Sequence, residues 1–126
     1  MVKVTVIILT YNEEKNIAQA LDSVCGWAEQ VFLLDSFSVD QTLSIAAKYD
    51  CRIFQSKFEG YPEQRNYALR KLPIDTEWTM FLDADEWLAD ELKEEINAMT
   101  AAGSESNGYY IKRRFLNINS INLSVS

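Results

Sequence analysis

Val4-Thr5-Val6-Ile7-Ile8-Leu9 is β-branched or aliphatic throughout and apolar at all but one position, and Thr10-Tyr11-Asn12-Glu13-Glu14 follows at once. A strand that is apolar on both faces belongs inside a parallel sheet covered by helices on either side; a strand with one wet face would alternate. The polar residues after it predict a turn into a helix, with Asn12 as N-cap. Glu13 and Glu14 then fall in the first turn, where negative charge meets the positive end of the helix dipole. Ile17, Ala20, Leu21 and Val24 recur at helical spacing, and Gly26 ends the pattern.

The same grammar repeats downstream. Val31-Phe32-Leu33-Leu34-Asp35 reads as a second buried strand, followed by a loop over 36–40 with Ser38 or Asp40 as the next cap. A helix through Leu43, Ala46, Ala47 and Tyr49 leads to a short strand, Arg52-Ile53-Phe54-Gln55. Pro62 fits the first position of a third helix, where its missing N–H costs nothing, and Tyr67, Ala68, Leu69 and Leu72 give that helix an apolar face. Trp78-Thr79-Met80-Phe81-Leu82-Asp83 is a fourth strand. Leu88, Leu92, Ile96 and Met99 predict a fourth helix, with Asp90, Glu91, Lys93, Glu94 and Glu95 on its solvated face. Residues 101–107 read as a polar linker and Tyr109 to Phe115 as a fifth strand. Four successive β-α units predict an α/β fold: a three-layer α/β/α domain with a mostly parallel sheet and right-handed crossovers.

That domain is expected over residues 1–115. Residues 116–126 differ, carrying no charge, and Leu116, Ile118, Ile121, Leu123 and Val125 alternate with polar residues across a break near Asn119-Ser120. This tail reads as a disordered end or as an edge strand, the latter able to form a homodimer by pairing with a second copy of the chain.

Composition narrows the chemistry. The 126 residues are 48% hydrophobic and 25% charged, as in an ordinary globular domain. The formal net charge of −7, without a basic cluster, argues against nucleic acid and against polybasic membrane anchoring. No apolar run is long enough to be a transmembrane segment, and the first residues lack signal-peptide character, so a cytoplasmic protein, peripheral at most to an inner membrane, is expected. With no histidine, Cys/His zinc sites and His-based triads are excluded. Cys25 and Cys51 have no activating context and read as small hydrophobes.

In open α/β sheets ligands bind beyond the carboxyl ends of the strands, where strand order reverses. Three of the four main strands deliver acids or hydroxyls to that edge: Thr10-Tyr11-Asn12-Glu13, then Asp35 with Ser36, Ser38 and Asp40, then Asp83-Ala84-Asp85. In extended backbone, Asp83 and Asp85 would point to the same side about 6–7 Å apart. Two carboxylates so close repel unless a cation lies between them, and a hard dication such as Mg2+ or Mn2+ shares oxygen ligands with phosphates. The same acids could instead serve as loop or cap residues leading into the next helix. Asp35 is either a turn residue or an acceptor for a ligand's N–H or hydroxyls. Arg65 is either a bidentate phosphate ligand or a solvent-facing side chain packed on Tyr61.

Four motifs in order carry a resemblance: residues 7–14, residues 31–42, Gln64-Arg65-Asn66-Tyr67-Ala68-Leu69, and Phe81-Leu82-Asp83-Ala84-Asp85-Glu86-Trp87. Together they resemble the N-terminal half of an inverting family 2 glycosyltransferase with the GT-A (nucleotide-diphospho-sugar transferase) fold. The bacterial branch it most resembles builds lipopolysaccharide core, often as a β-1,4-glucosyltransferase. The resemblance covers residues 3–114 and implies a truncated version of the fold. It implies substrate-binding roles for Thr10, Tyr11 and Glu13 in the nucleotide site, Asp35 at the nucleobase, Arg65 toward base or diphosphate, and Asp83 toward ribose or metal. Asp83 and Asp85 would bind Mg2+ or Mn2+. The expected partners are a nucleotide-sugar donor, read as a UDP-sugar, and a glycan or lipid-linked glycan acceptor. In the family the acid that deprotonates the acceptor lies in the C-terminal half, so no catalytic base is assigned to this chain, and whether it is an enzyme alone stays open. The rival reading is a non-catalytic fragment that binds donor or dimerises. A haloacid-dehalogenase-like phosphatase would place its D-x-D after the first strand and follow it with Thr or Val; here the fourth strand carries it and Glu86-Trp87 follow.

Overall fold

A computed structural model describes residues 1–101, 108–112 and 120–125. The chain runs β1 (Val2–Thr10), α1 (Ile17–Val24), β2 (Ala28–Asp35), α2 (Thr42–Ala46), β3 (Arg52–Gln55), α3 (Tyr61–Lys71), β4 (Trp78–Asp83), α4 (Asp90–Ala101), β5 (Gly108–Lys112) and β6 (Ser120–Val125). The sheet order is β3-β2-β1-β4-β6-β5. β1 pairs in parallel with both β2 and β4, and β2 in parallel with β3, whereas β6 runs antiparallel to both β4 and β5. The expected α/β architecture with a mostly parallel sheet is therefore present.

Both faces of β1 are buried, as its unbroken apolar run requires. Val4, Val6 and Ile8 pack with Ile17, Ala20, Leu21 and Val24 of α1, Ala46 of α2 and Leu92 and Ile96 of α4. Ile7 and Leu9 pack on the opposite face with Phe32, Leu34 and Ala68 of α3. Burying each such aliphatic side chain stabilises the fold by about 1.5–3 kcal/mol. Strand order reverses between β1 and β4: from β1 the chain steps outward through β2 and β3, then returns to the other side of β1. That switch point places the ends of β1, β2 and β4 side by side.

Several local expectations are corrected. Asn12 does not cap α1; it has φ 50°, and the helix starts only at Ile17. The extra turn arises because the Asn16 and Ile17 N–H groups both donate to the Glu13 carbonyl. α2 stops at Ala46, short of Tyr49, because the Lys48 and Tyr49 N–H groups take carbonyls only three residues back, tightening the last turn. Leu69 is 46% exposed, so the apolar face of α3 reduces to Ala68, half-buried Tyr67 and Leu72 just past its end. Gly26 does end α1, with φ 85°, a left-handed conformation that costs glycine little.

In the tail, Ser120–Val125 is an inner strand rather than an edge strand, since it lies between β4 and β5. The outer strands of the sheet are β3 and β5. The fifth strand begins at Gly108 and runs to Lys112; the rest of its expected span, and most of the expected 101–107 linker, lie outside the described residues. Among the described residues no helix is long and apolar enough to cross a membrane.

Candidate functional site

A cleft of about 280 Å³ opens at the carboxyl edge of the sheet. Leu9, Thr10, Tyr11 and Glu13 after β1 form one wall, Ser36 after β2 lies at its back, and Asp83, Ala84 and Asp85 after β4 form the other wall. Phe58, Tyr61 and Gln64, at and before the start of α3, complete it. Thr10, Tyr11, Glu13, Asp83 and Asp85 are thus brought together as the sequence anticipated.

The acids sit on a tight turn rather than on extended strand. The Glu86 N–H donates to the Asp83 carbonyl at 2.9 Å, and the Glu86 carboxylate accepts the Asp83 N–H at 2.9 Å. Between the acids, Ala84 is buried in the core, and its N–H extends the β1 ladder by donating to the Leu9 carbonyl at 3.2 Å. The wall is electrostatically uncomfortable. Partial desolvation, then the charge of Asp85, raise the Asp83 carboxyl above its ordinary value, and nearby Arg65 offsets only part of this. Glu13 is also raised, by desolvation and then by the charge of Asp85, with Asp83 and Asp40 adding to it. Three carboxylates therefore share one field across the cleft.

Two expected residues stand elsewhere. Arg65 is exposed, with its guanidinium 5.6 Å from the centre of the Phe81 ring, and it acts on the site as the cation beside Asp83. Asp35 is fully buried beneath the cleft. Its carboxylate accepts the Ser38 N–H at 2.8 Å, the Ser38 hydroxyl at 2.5 Å and the Gln55 side-chain N–H at 3.2 Å.

Other lining residues were given no role in the site by the sequence. Gln64 is buried and donates to the Ser36 hydroxyl at 2.7 Å, linking α3 to the back of the cleft. Phe58 and Tyr61 meet edge to face with ring centres 5.3 Å apart, yet stay 48% and 58% exposed. Exposed rings beside a polar cleft form a surface on which a planar or sugar ring can lie. The sequence offered one signal for them, Gly60: its φ is 123°, and a Cβ there would lie 2.5 Å from the Glu63 carboxylate. Cys25 and Cys51 are half-buried, and desolvation pushes the Cys25 thiol up to about 11, so neither is a nucleophile at neutral pH.

Among the described residues the Thr10 hydroxyl is a buried polar atom without a hydrogen-bond partner, and it lines the cleft. Such a group costs about 1–3 kcal/mol when nothing binds it. Thr10→Val is therefore expected to raise the unliganded melting midpoint by a few degrees, and to weaken whatever polar ligand the hydroxyl serves by about tenfold. Thermal melts with and without nucleotide check both halves.

Among the described residues, no three His, Cys, Asp or Glu side chains are grouped so as to hold a metal ion by themselves. Asp83 and Asp85 offer two carboxylates on one turn, the number of protein ligands that a hard dication such as Mg2+ takes where water and phosphate complete its shell.

A mostly parallel sheet whose strand order reverses between β1 and β4, with an acidic cleft across that reversal, makes this an α/β domain of the GT-A type. The sequence matches Glycosyl transferase family 2 over residues 5–124, and the chain belongs to that family. The match runs beyond residue 114, where the resemblance was expected to stop. An uncharacterized glycosyltransferase of Rickettsia conorii is 33% identical over 87% of this chain and 39% of its own length. The lipopolysaccharide core biosynthesis glycosyltransferase LpsC of Rhizobium meliloti is 30% identical over 85% of this chain and 40% of its own length. Among solved structures, S. aureus TarS in complex with UDP superposes with a TM-score of 0.68 at 29% identity, over 91% of this chain and 36% of that one. The mannosyltransferase PcManGT from Pyrobaculum calidifontis, in complex with GDP-Man and Mn2+, gives 0.66 at 26% identity, over 88% and 36%. The chain thus spans about two fifths of the length of these curated relatives.

Proposed function

We propose that this chain is the donor-binding part of a glycosyltransferase, taking a nucleoside diphosphate sugar into the cleft with Mg2+ or Mn2+ held by Asp83 and Asp85. The observation that carries the reading is the charge of the cleft. A diphosphate would meet Glu13, Asp83 and Asp85, and among the described residues Arg65 is the cation that acts on Asp83, so the ligand and the wall repel unless a dication joins them. The ion, when bound, neutralises the diphosphate as it departs from the sugar. The chain's own residues bind and orient: Thr10 offers its unpartnered hydroxyl, Tyr11, Phe58 and Tyr61 give aromatic surface, and Arg65 adds a cation beside Asp83. The nucleobase contact assigned to Asp35 would fall to the one acceptor position that Ser38 and Gln55 leave on its carboxylate.

The donor is read as a UDP-sugar, the choice supported by the UDP complex of TarS, and the transfer as inverting. The acceptor is read as a glycan such as lipopolysaccharide core, supported by the likeness to LpsC. Calorimetry of UDP with the chain tests the reading. With Mn2+ present UDP is expected to bind in the micromolar range, about −8 kcal/mol, and chelation should abolish the signal. Equal binding with and without Mn2+ would remove the metal from the reading, and no binding in either condition would remove the nucleotide as well.

A further inference from the structure

Residues 11–14 carry Tyr11 and Glu13 into the cleft ahead of any helix: Asn12 has φ 50°, the Glu13 carbonyl takes the Asn16 and Ile17 N–H groups, and α1 begins three residues after Glu14, without a side-chain cap. Three consecutive N–H groups of the segment point across to the loop after β2 and the first residue of α2. The Asn12 N–H donates to the Ser38 hydroxyl at 2.8 Å, the Glu13 N–H to the Thr42 hydroxyl at 2.9 Å, and the Glu14 N–H to the Asp40 carboxylate at 3.3 Å. Each hydroxyl has a single proton, and each gives it to a carboxylate. Ser38 donates to Asp35 and Thr42 to Asp40, both at 2.5 Å. With the proton so committed, the oxygen lone pairs are free to receive the amide, and the direction of both chains is fixed. A return tie runs from the Val39 N–H to the Asn12 side-chain oxygen at 2.9 Å. The facing loop is itself held in an uncommon shape, since Phe37 has φ 61°, and the next residue's N–H is taken by Asp35. Positive φ at a bulky aromatic and at Asn12, one on each side of the same ties, marks backbone that persists only where its surroundings over-determine it.

We propose that Ser38 and Thr42 are positioning residues of the cleft: each relays a carboxylate, Asp35 or Asp40, to a backbone N–H of the segment that aims Tyr11 and Glu13 at the ligand. The proposal rests on the donor-binding reading for its ligand but not for its hydrogen bonds. It gives the spacing Asp35, Ser38, Asp40, Thr42 a physical reason. The acids lie beneath or behind the cleft, and the hydroxyls carry their hold to the loop that lines it.

Amide hydrogen exchange of the unliganded chain and UDP binding in the presence of Mn2+ test it together. Ser38→Ala is expected to speed exchange at the Asn12 amide, and Thr42→Val at the Glu13 amide, by about tenfold each, with the strand amides unchanged. Each variant should also weaken UDP by about tenfold, while Thr42→Ser, which keeps the hydroxyl, should keep both slow exchange and affinity. Because the relays are separate, a variant that fails to fold at one leaves the other to decide. Unchanged exchange in a folded variant overturns the relay, and faster exchange with unchanged UDP affinity overturns its positioning role. If the unaltered chain binds no UDP with Mn2+, the reading of the cleft fails and the positioning role with it, whereas the exchange data still decide the hydrogen bonds.

Discussion

Asp85→Asn is expected to make the unliganded chain melt a few degrees higher while lowering its Mn2+-dependent affinity for UDP by about a hundredfold, or about 2.7 kcal/mol. The two effects have one cause. The charge of Asp85 raises both Asp83 and Glu13, so in the empty cleft it opposes folding; with a dication bound, the same charge becomes a ligand. The gain in stability is small, below about 1 kcal/mol, because the acids are largely solvated. The pH dependence has the matching sign. Asp83 and Glu13 bind protons more tightly in the fold than in the unfolded chain, so the empty chain gains stability as pH falls through their raised values. Asp40 acts oppositely. Desolvation would raise it, but the Thr42 hydroxyl and the Thr42 and Glu14 N–H groups prevail and hold it below its ordinary value. Its contribution is therefore present above the ordinary carboxylate range and is lost only as pH falls through that lowered value. The stability of the empty chain is thus expected to peak on the acid side of neutrality, and Asp85→Asn should flatten that rise. An unchanged melting midpoint with unchanged UDP affinity would show that residue 85 faces neither neighbour nor ion.

The strands were legible because their burial is written in composition. Residues 4–9, Thr5 apart, and 31–34 are apolar without alternation, and β3 and β4 have the bounds that the runs ending at Gln55 and Asp83 give. The cleft was legible to the extent that it is built from strand ends, since topology sends these to one edge whatever the loops do. What could not be read was set by contacts distant in sequence. Asn12 has the chemistry of a cap, but its partners lie 26 and 27 residues away on the facing loop. Asp35 ends a strand, and that its carboxylate lies buried and bonded to Gln55, 20 residues on, is not written in its neighbours. Phe58, Tyr61 and Gln64 enter the cleft through the placement of α3 against the sheet, which no local periodicity encodes. The tail alternates like an edge strand, but β5 pairs along it and makes it an inner one.

Ala84→Leu separates the presence of the acids from their placement. Ala84 is 2% exposed and packs in the core with Leu82, Leu88 and Leu92, while the residues on either side of it line the cleft. Three added carbons cannot enter a filled core without strain, which costs about 1–3 kcal/mol. The side chain can avoid that strain only by rotating the 83–86 turn outward, which breaks the Ala84 N–H bond to Leu9 and swings both aspartates away from Thr10 and Glu13. The variant is expected to melt about 3–10 °C lower and to lose about a hundredfold in Mn2+-dependent UDP affinity, although all three carboxylates of the cleft remain. Asp85→Asn predicts the same loss of affinity with the opposite change in stability, so thermal melts and calorimetry on the pair distinguish an ion held by geometry from one attracted by net charge. If Ala84→Leu bound UDP with Mn2+ as tightly as the unaltered chain, net negative charge would suffice, and the turn that fixes Asp83 and Asp85 would have no part in binding.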